Sequence, residues 1–573
     1  MEAKPIAEER AMSKLARMAL LLSLWVCCSV FLHSPSRSSE PIKELARERP
    51  GATFGGTFRR MLGDDPATLD PVFVTDIYGR AVINQIFDGL VQFDANLNPI
   101  PAIAEFWEAS RDGLTWTFIL RRGVKFHHGR EVTAQDVVYS FTRLLRLKSP
   151  GPVTEIFEHI QGAKAFMQGK IPHIEGLKAT DRYSLQIVLE QPLAPFLPAL
   201  GLTNAAIVPE EKLEPQDERF GHHPVGTGPF KFVRWKSMNE IVLEANDHYY
   251  EGRPFLDRVV FKIFPGAELK KTFAEFLKGN LEETIIPSEE QDEVRTEVEY
   301  RKFQRIRKPT LSHLYLGFNT RLKPFDDERV RQAFNYAVNT QAIVREITKR
   351  GSLPATGILP PGMAGYDPHL QGYSYQPAKA MQLLAEAGYP HGVGLPAIEL
   401  WSVNKAQSTQ DELAAYQRYL ANIGVKVDLR FASDWPTYKT MLEQGKLQMF
   451  RLLRLADIPD ADNFLFPMLH STSKTNYTFY RNPRVDNLLE QSRRELDYTQ
   501  RIAFYHEAQR IIVADAVLIP QHHSTLDYLY QPYVQGVEVS LLGKRFIPLK
   551  KIWFKKSLTT GQTAAITDVQ PSR

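Results

Sequence analysis

The chain has 573 residues, of which 43% are hydrophobic and 24% are charged, and its formal net charge is +4 at pH 7. A chain of this length exceeds what one hydrophobic core accommodates, so we expect two or three subdomains. Its charges nearly balance and no long basic run occurs, which excludes the electrostatic footprint of a nucleic-acid-binding protein.

The N-terminal segment predicts export from the cytoplasm. Lys14 and Arg17 precede an apolar run from Met18 to Leu32, which is shorter than the roughly 20 residues of a spanning helix and fits the core of a signal peptide. We assign residues 1–36 to a signal peptide or to an uncleaved N-terminal anchor. In both cases the rest of the chain is expected in the periplasm or another extracytoplasmic space.

Cysteine usage and the absence of catalytic motifs argue against an enzyme. The only two cysteines, Cys27 and Cys28, lie within the predicted signal segment, so disulfide bonds and thiol catalysis are excluded for the rest. The chain contains neither HExxH nor GxSxG, the patterns of common metalloproteases and α/β-hydrolases. We expect no catalytic residue, with a peptidase of another class as a remote alternative.

The run from residue 55 to residue 141 predicts the beginning of a first lobe. Trp116, Phe118 and Leu120 alternate with polar residues, which is the period of a half-buried strand. Thr133 and Asp136 have the spacing of a capping box and predict the start of a helix. These residues are expected to form core and secondary structure only.

Three histidine pairs raise the question of a metal site. They occur at residues 127–128, 222–223 and 522–523. Adjacent residues of a strand point to opposite faces, so none of these pairs chelates an ion as an i,i+4 helical pair does. The Gly-rich segment at residues 225–230 lacks the lysine of a phosphate-binding loop. We expect no metal site and no cofactor.

A second lobe is predicted from Leu311 onwards. Asp326 or Asp327 is placed to cap a helix whose apolar residues share one face. Two helix-to-strand units follow, over residues 377–401 and 411–431, and glycines close both helices. This alternation predicts an α/β lobe.

Five blocks together resemble one family. They are the run at residues 55–141, VGTGPF with the EIVLEANDHYYEG that follows it, the α/β units, MFRLLRLADIPDADNFL, and LYQPYVQGVEVSLLGKRF near the C-terminus. In this order they resemble the family 5 extracytoplasmic solute-binding proteins, which are the peptide- and nickel-type substrate-binding components of ABC transporters.

The resemblance implies an α/β fold of two lobes, like the type II periplasmic binding proteins of cluster C, with a hinge and a ligand cleft between the lobes. The first lobe is expected over residues 51–310, with an inserted subdomain at about 94–205. The second lobe is expected over 311–523, and 524–556 return to the first. Residues 557–573 are polar and predict a disordered tail.

The resemblance also implies ligand-binding residues. Asp457 falls where peptide-binding members carry the carboxylate that pairs with a peptide's α-ammonium group, and Trp435 falls where they carry a ligand-contacting tryptophan. Arg454 departs from the pattern, because members commonly have tryptophan there. The cleft is also expected to be lined by His523 and by the loop residues Thr75, Asp76 and Ile77.

Arg451 adds an expectation from strand geometry. It precedes Asp457 by six residues, so in a regular strand both side chains share one face and lie about 20 Å apart. Opposite charges at this spacing suit the two ends of a short extended peptide. The alternative is a solvated or ion-paired arginine. Arg454 has the opposite parity and is expected to face away from the ligand.

The predicted function is that of a monomeric binding protein that captures short peptides and delivers them to an ABC transporter permease in the inner membrane. Two alternatives from other classes stay open. One is a non-peptide ligand such as a nickel chelate, a sugar or haem, and the other is the sensing ectodomain of a signalling system.

Overall fold

The computed structural model of the chain describes residues 52–149, 152–213, 218–347 and 351–555. The segment predicted as a signal peptide or anchor, residues 1–36, lies outside the described residues, and so does the predicted tail, residues 557–573. None of the described helices combines the length and the apolar character that crossing a bilayer requires.

The helices are numbered here in chain order over the described residues. They are α1 Ile77–Ile86, α2 Ala134–Arg146, α3 Pro152–Phe157, α4 Ala163–Met167, α5 Phe196–Ala199, α6 Leu269–Leu277, α7 Gln291–Thr296, α8 Glu328–Ala337, α9 Thr340–Ile347, α10 Pro377–Glu386, α11 Gln407–Ala421, α12 Trp435–Glu443, α13 Asp462–Leu469, α14 Pro483–Arg494 and α15 Tyr498–Ala514.

The strands are β1 Ala52–Thr53, β2 Thr57–Leu62, β3 Val91–Phe93, β4 Pro99–Pro101, β5 Ala104–Ala109, β6 Thr115–Leu120, β7 Leu177–Ala179, β8 Ser184–Val188, β9 Phe230–Lys236, β10 Glu240–Ala245, β11 Arg258–Ile263, β12 Glu283–Ile285, β13 Gln304–Pro309, β14 Ser312–Phe318, β15 Ser352–Pro354, β16 Ile398–Ser402, β17 Val427–Phe431, β18 Met449–Leu455, β19 Leu518–Tyr530, β20 Val534–Gln535 and β21 Trp553–Lys555.

Two four-stranded sheets and their cores belong to the N-terminal half. One has the order β2-β11-β10-β9 and packs against Val82, Ile83 and Ile86 of α1. The other has the order β5-β6-β8-β7 and packs against Phe141 and Leu144 of α2. Alternating apolar residues on one face of each sheet and one stripe of each helix account for both cores.

The largest sheet has the order β12-β19-β14-β18-β16-β17, with β13 and β15 also paired to β19. Helices cover both faces of the centre of this sheet. Because successive residues of β14 point to opposite faces, its side chains contribute to the core on each side. Leu316 and Phe318 pack with α8, α10 and α11, whereas Tyr315 packs with α12, α13 and α15. Strand β14 is therefore buried over its whole length.

Two backbone segments of this sheet, near residues 310 and 524, lie next to each other. The N–H of Thr310 donates to the Ser524 carbonyl at 2.8 Å. The N–H of Ser524 in turn donates to Ser312 Oγ at 2.9 Å. These bonds hold the two segments side by side, and they are the segments that the sequence assigns to the boundaries between the lobes.

Several local predictions are confirmed. Thr133 and Asp136 form the capping box of α2, and the Thr133 N–H donates to Asp136 Oδ2 at 2.8 Å. Asp327 caps α8 by accepting from the Arg329 N–H at 2.9 Å. Trp435 is the first residue of helix α12. The Asp434 carboxylate accepts from the Thr437 N–H at 2.9 Å and starts that helix.

Candidate ligand-binding site

The carboxylate of Asp457 is paired with two guanidinium groups. Arg80 of α1 donates from Nη1 to Asp457 Oδ1 at 2.7 Å. Nη1 of Arg545, in the C-terminal segment, lies 3.6 Å from the same oxygen. The Asp457 N–H donates to Asn463 Oδ1 at 2.8 Å, which fixes the backbone behind the carboxylate. The group expected to anchor a ligand thus already has partners of opposite charge within the protein.

A third guanidinium group lies next to this pair. Arg454 donates from Nε and Nη2 to the Asn463 carbonyl at 3.2 Å and 2.7 Å. The expectation that Arg454 faces away from the site is wrong. Strand β18 ends at Leu455, so strict alternation does not extend to Asp457, and Asn463 holds both residues together.

The charges around Asp457 determine its ionisation. Burial alone would raise the pKa of this carboxyl, but the attraction of Arg545, Arg80 and Arg454 outweighs burial and lowers it below the ordinary value. Burial lowers the pKa of the Arg545 guanidinium, Asp457 opposes this, and Arg80 and Arg454 add to the lowering. Asp457 is therefore ionised at neutral pH in a group of three arginines, Arg80, Arg454 and Arg545, called the arginine cluster below.

Arg451 forms an ion pair inside the protein. Its Nη2 donates to Glu412 Oε2 of α11 at 2.9 Å, and the side chains are only 13% and 6% exposed. Gln521 donates to Glu412 Oε1 at 3.0 Å and completes the contacts of that carboxylate. Arg451 and Asp457 do not bracket a ligand from one face of a regular strand, because β18 ends before Asp457. The ion-paired alternative for Arg451 is confirmed.

His523 lies inside the large sheet and does not line an open cleft. Its residue is 2% exposed, and Nδ1 donates to the Ser312 carbonyl at 2.8 Å. Burial lowers the pKa of His523 to about 4, so the ring is neutral at pH 7. Its ring centroid lies 5.5 Å from that of His313, and its backbone pairs with Leu353 of β15.

Trp435 presents an exposed aromatic ring beside β18. It is 47% exposed at the start of α12, and its ring centroid is 6.1 Å from that of Tyr438. The Tyr438 hydroxyl donates to the Arg451 carbonyl at 2.9 Å and joins α12 to β18. An indole held at this place is suited to covering a ligand that lies along the strand.

The loop before α1 contributes differently from what was expected. Asp76 Oδ1 accepts from the N–H groups of Tyr78 and Gly79 at 3.0 Å and 2.7 Å, so this carboxylate caps α1. Thr75 is exposed and Ile77 is half-buried. By fixing the first turn of α1, Asp76 also fixes the position of Arg80 one turn later. Arg80 in turn brings α1 into contact with Asp457.

One edge of β18 has no strand partner over most of its length. Strand β14 pairs with all of β18 on one side, whereas β16 pairs on the other side only at Met449 and Phe450. Among the described strands, none pairs with this second side from Arg451 to Leu455. Leu453 and Leu455 are 46% and 38% exposed. The free edge ends two residues before Asp457.

A cavity of about 390 Å³ adjoins this region. It lies between the segment that carries α3 and the segment after β18, and its lining includes Glu155, His159, Pro195, Ile458 and Asn463. Asn463 also accepts from Asp457 and Arg454, so one lining residue of the cavity is bonded to members of the charged group around Asp457. Its size suits part of a small extended ligand.

A second cavity of about 130 Å³ lies between elements of the N-terminal half and the C-terminal segment at residues 538–550, and it adjoins a group of charged residues. Lys550 Nζ lies 2.6 Å from Glu251 Oε2, and the Tyr249 hydroxyl donates to Asp88 Oδ1 at 3.3 Å. Burial raises the pKa of Asp88 to about 6, against the opposing effect of Lys550. Within the described residues, no group of three or more metal-ligating side chains is placed to hold an ion.

Comparison with known proteins identifies the family. The sequence pattern of the bacterial extracellular solute-binding proteins, family 5 Middle, matches residues 98–476. The chain belongs to this family. It is a family of substrate-binding proteins, not of enzymes, and its members act in the periplasm or outside the cell.

Individual family 5 members resemble the chain over most of its length. The haem-binding protein A of Haemophilus influenzae is 31% identical over 539 residues, which are 90% of this chain and 96% of that protein. The dipeptide-binding protein of Escherichia coli is 31% identical over 480 residues, 80% of this chain and 87% of that protein.

A solved structure establishes the fold. The periplasmic binding protein of Helicobacter pylori in complex with the peptide STSA has a TM-score of 0.73 and 28% identity, and covers 90% of this chain and 100% of that one. The fold is the two-lobed, mixed α/β fold of the type II periplasmic binding proteins of family 5.

Proposed function

We propose that this family 5 protein captures short peptides and delivers them to an ABC transporter permease in the inner membrane. The peptide lies along the free edge of β18, between the loop at residues 75–77 and Trp435. The observation that carries the proposal is this free edge, which stops beside the charged groups around Asp457. The named ligands of the relatives from E. coli and H. pylori, a dipeptide and the peptide STSA, support it.

The direction of the backbone groups of β18 makes its edge suitable for a peptide. The Arg451 carbonyl accepts from Tyr438 on the side away from β14, and the Ala456 N–H donates to Leu311 next to β14. Because strand residues alternate, the N–H and C=O of Leu453 and Leu455 also point away from β14. An extended peptide binds such an edge through main-chain hydrogen bonds, which tolerate varied side chains.

Closure of the two lobes around the ligand is part of the proposal. The paired crossings at Thr310 and Ser524 are short and adjacent, as a hinge requires. The bond from Arg80 to Asp457 joins α1 to the segment after β18, so it closes the site in this conformation. Opening of the lobes breaks this bond and gives the peptide access to the strand edge.

We further propose that the protein works as a periplasmic monomer, held at the membrane if the N-terminal segment is not cleaved. The permease recognises the closed, peptide-loaded form. Size-exclusion chromatography with light scattering measures the mass in solution, and a mass of two chains contradicts the monomer. Fractionation of cells that express the full chain separates a released protein from a membrane-held one.

Native mass spectrometry of residues 37–573, purified without denaturation, tests the peptide proposal. The expected result is a series of bound masses that tandem fragmentation identifies as short peptides. The variant Trp435→Ala retains fewer of these peptides, whereas Tyr498→Ala, which changes another exposed aromatic residue, retains them all. A single bound porphyrin, sugar or metal chelate in the wild-type protein contradicts the proposal.

A further inference from the structure

The charges at the two ends of the free edge are unequal. At the Arg451 end, one guanidinium faces the Glu412 carboxylate, and the nearby His522 is neutral at pH 7 because burial lowers its pKa to about 4. At the Asp457 end, the three guanidinium groups of the arginine cluster surround the Asp457 carboxylate, and Glu155, which the charge of Arg454 also affects, is a further acidic group near them. The charges at the first end balance, whereas at the second end the guanidinium groups outnumber the carboxylates.

The arginine cluster has hydrogen-bonding capacity that the protein does not use. Arg80 is 9% exposed, and its buried Nε has no hydrogen-bond partner in the described part of the chain. None of the ion pairs between described residues includes Arg454, which donates only to the Asn463 carbonyl. Arg545 donates from Nε and Nη2 to the carbonyl groups of Leu542 and Ala456. One carboxylate therefore does not satisfy the donors gathered here.

A ligand ammonium group fits this end poorly. Asp457 already accepts from Arg80, and a further cation would meet the repulsion of three guanidinium groups at short range. A carboxylate fits well, since guanidinium groups bind carboxylates through paired N–H donors. In this arrangement Asp457 is a positioning residue that holds Arg80 and Arg545 in place when no ligand is bound.

We propose that the arginine cluster binds the C-terminal carboxylate of the peptide, so that the peptide runs in the same direction as β18. This inference rests on the proposed function, because it names the end of the peptide that lies beside Asp457. It reverses the orientation expected when Asp457 binds an α-ammonium group. The parallel direction agrees with the sheet, since β16, the strand that the peptide would extend, also pairs with β18 in parallel.

Four forms of one tripeptide, Leu-Ala-Leu, test the orientation by isothermal titration calorimetry. They are the free peptide, its N-acetyl form, its C-terminal amide and the doubly blocked form. The expected result is that amidation weakens binding by about 30-fold or more, because a charged group loses its buried partners. Acetylation changes the affinity by less than about 3-fold, since no ion pair at the other end depends on the ammonium group.

Substitutions of single arginines test whether the arginine cluster causes the loss of affinity on amidation. Arg454→Gln removes one guanidinium without breaking an ion pair and is expected to reduce the cost of amidation by about 10-fold. Arg80→Gln has the same effect if the protein folds. Arg430→Gln is the matched control, because Arg430 is a half-exposed arginine of the same sheet, and it leaves the cost of amidation unchanged.

Each contrary result has a distinct meaning. Loss of binding on acetylation, with the amide still bound, overturns the inference and leaves the proposed function intact. An amidation cost that Arg454→Gln does not change also overturns it, because the carboxylate is then bound elsewhere. If none of the four forms binds, and other short peptides fail as well, the proposed function and the inference both fall.

Discussion

Arg80 and Asp457 are 377 positions apart in the sequence, yet Arg80 Nη1 donates to Asp457 Oδ1 at 2.7 Å. The bond joins the first helix after the N-terminal strands to the segment that follows β18. Both residues are mostly buried, with side-chain exposures of 11% and 17%. This contact brings α1 next to the segment that follows β18.

The first prediction concerns the stability that Asp457 contributes. Asp457→Asn leaves three guanidinium groups without a carboxylate, so we expect a loss of roughly 3 kcal/mol in the free energy of unfolding at pH 7. The pKa of Asp457 is lowered in the folded state, so its contribution is present above the ordinary value of 3.8 and is lost as pH falls further.

Urea unfolding of wild type and Asp457→Asn at several pH values measures this difference. The gap between the two proteins should narrow below pH 4, where the wild-type carboxylate begins to protonate. Equal stability of the two proteins at pH 7 would show that the arginine cluster does not depend on this carboxylate.

The second prediction concerns Arg451, whose pairing with Glu412 makes its role structural. Arg451→Met leaves a buried carboxylate without its partner and is expected to cost about 3 to 5 kcal/mol of stability. The double variant Arg451→Met with Glu412→Gln removes both charges and should recover most of this loss. Thermal unfolding of the three proteins gives the comparison. A single variant that keeps its stability but loses peptide affinity would instead make Arg451 a ligand-binding residue.

The third prediction concerns Asp88, which is partly buried. Burial raises its pKa from 3.8 to about 6, so the folded protein binds this proton more tightly than the unfolded chain does. Ionisation of Asp88 therefore costs stability as pH rises from about 4 to 6, by up to roughly 3 kcal/mol.

Asp88→Asn removes this titration while it keeps the shape of the side chain. The stability of the variant relative to wild type should increase between pH 4 and pH 6 and then level off, as measured by denaturant unfolding across this range. Thr227→Val, which removes a hydroxyl bonded to Asp88, serves as a control that keeps the carboxyl group. A stability difference that does not change with pH would contradict the raised pKa.

The fourth prediction separates binding from folding at Trp435. The side chain is 47% exposed, so Trp435→Ala should change the melting temperature by no more than a degree or two, consistent with roughly 0.5 kcal/mol for exposed positions. Peptide affinity should fall by about 10-fold or more, because a buried aromatic contact is lost in the complex. Calorimetry and thermal unfolding of the same samples measure both effects. Unchanged affinity would remove Trp435 from the site.

Local features of the fold were predictable because neighbouring residues determine them. The capping box of Thr133 and Asp136 and the cap formed by Asp327 follow from side-chain chemistry within three positions. The alternation of Trp116, Phe118 and Leu120 specified β6 for the same reason, since period and burial agree over a short run. The order of the five sequence blocks then indicated the family, which the comparisons confirm.

The partners of the site residues were not predictable in this way. Glu412 and Arg80 carry no local pattern that separates them from solvated side chains, and each meets its partner only through the tertiary fold. The prediction for Arg454 was wrong because it extended strand alternation past Leu455, where β18 ends. His523 is likewise buried beside Ser312, 211 positions away in the chain, a contact that no local pattern indicates.

The most direct measurement of the central claim is peptide affinity after removal of one N–H from the free edge of β18. Leu453→Pro deletes the donor that points away from β14, and proline is tolerated on a strand edge. Leu453→Ala is the control that removes the side chain and keeps the N–H. With both variants folded, we predict that Leu453→Pro binds Leu-Ala-Leu at least about 10-fold more weakly than Leu453→Ala does, since a main-chain hydrogen bond is lost. Equal affinities of the two variants would contradict peptide binding along this edge.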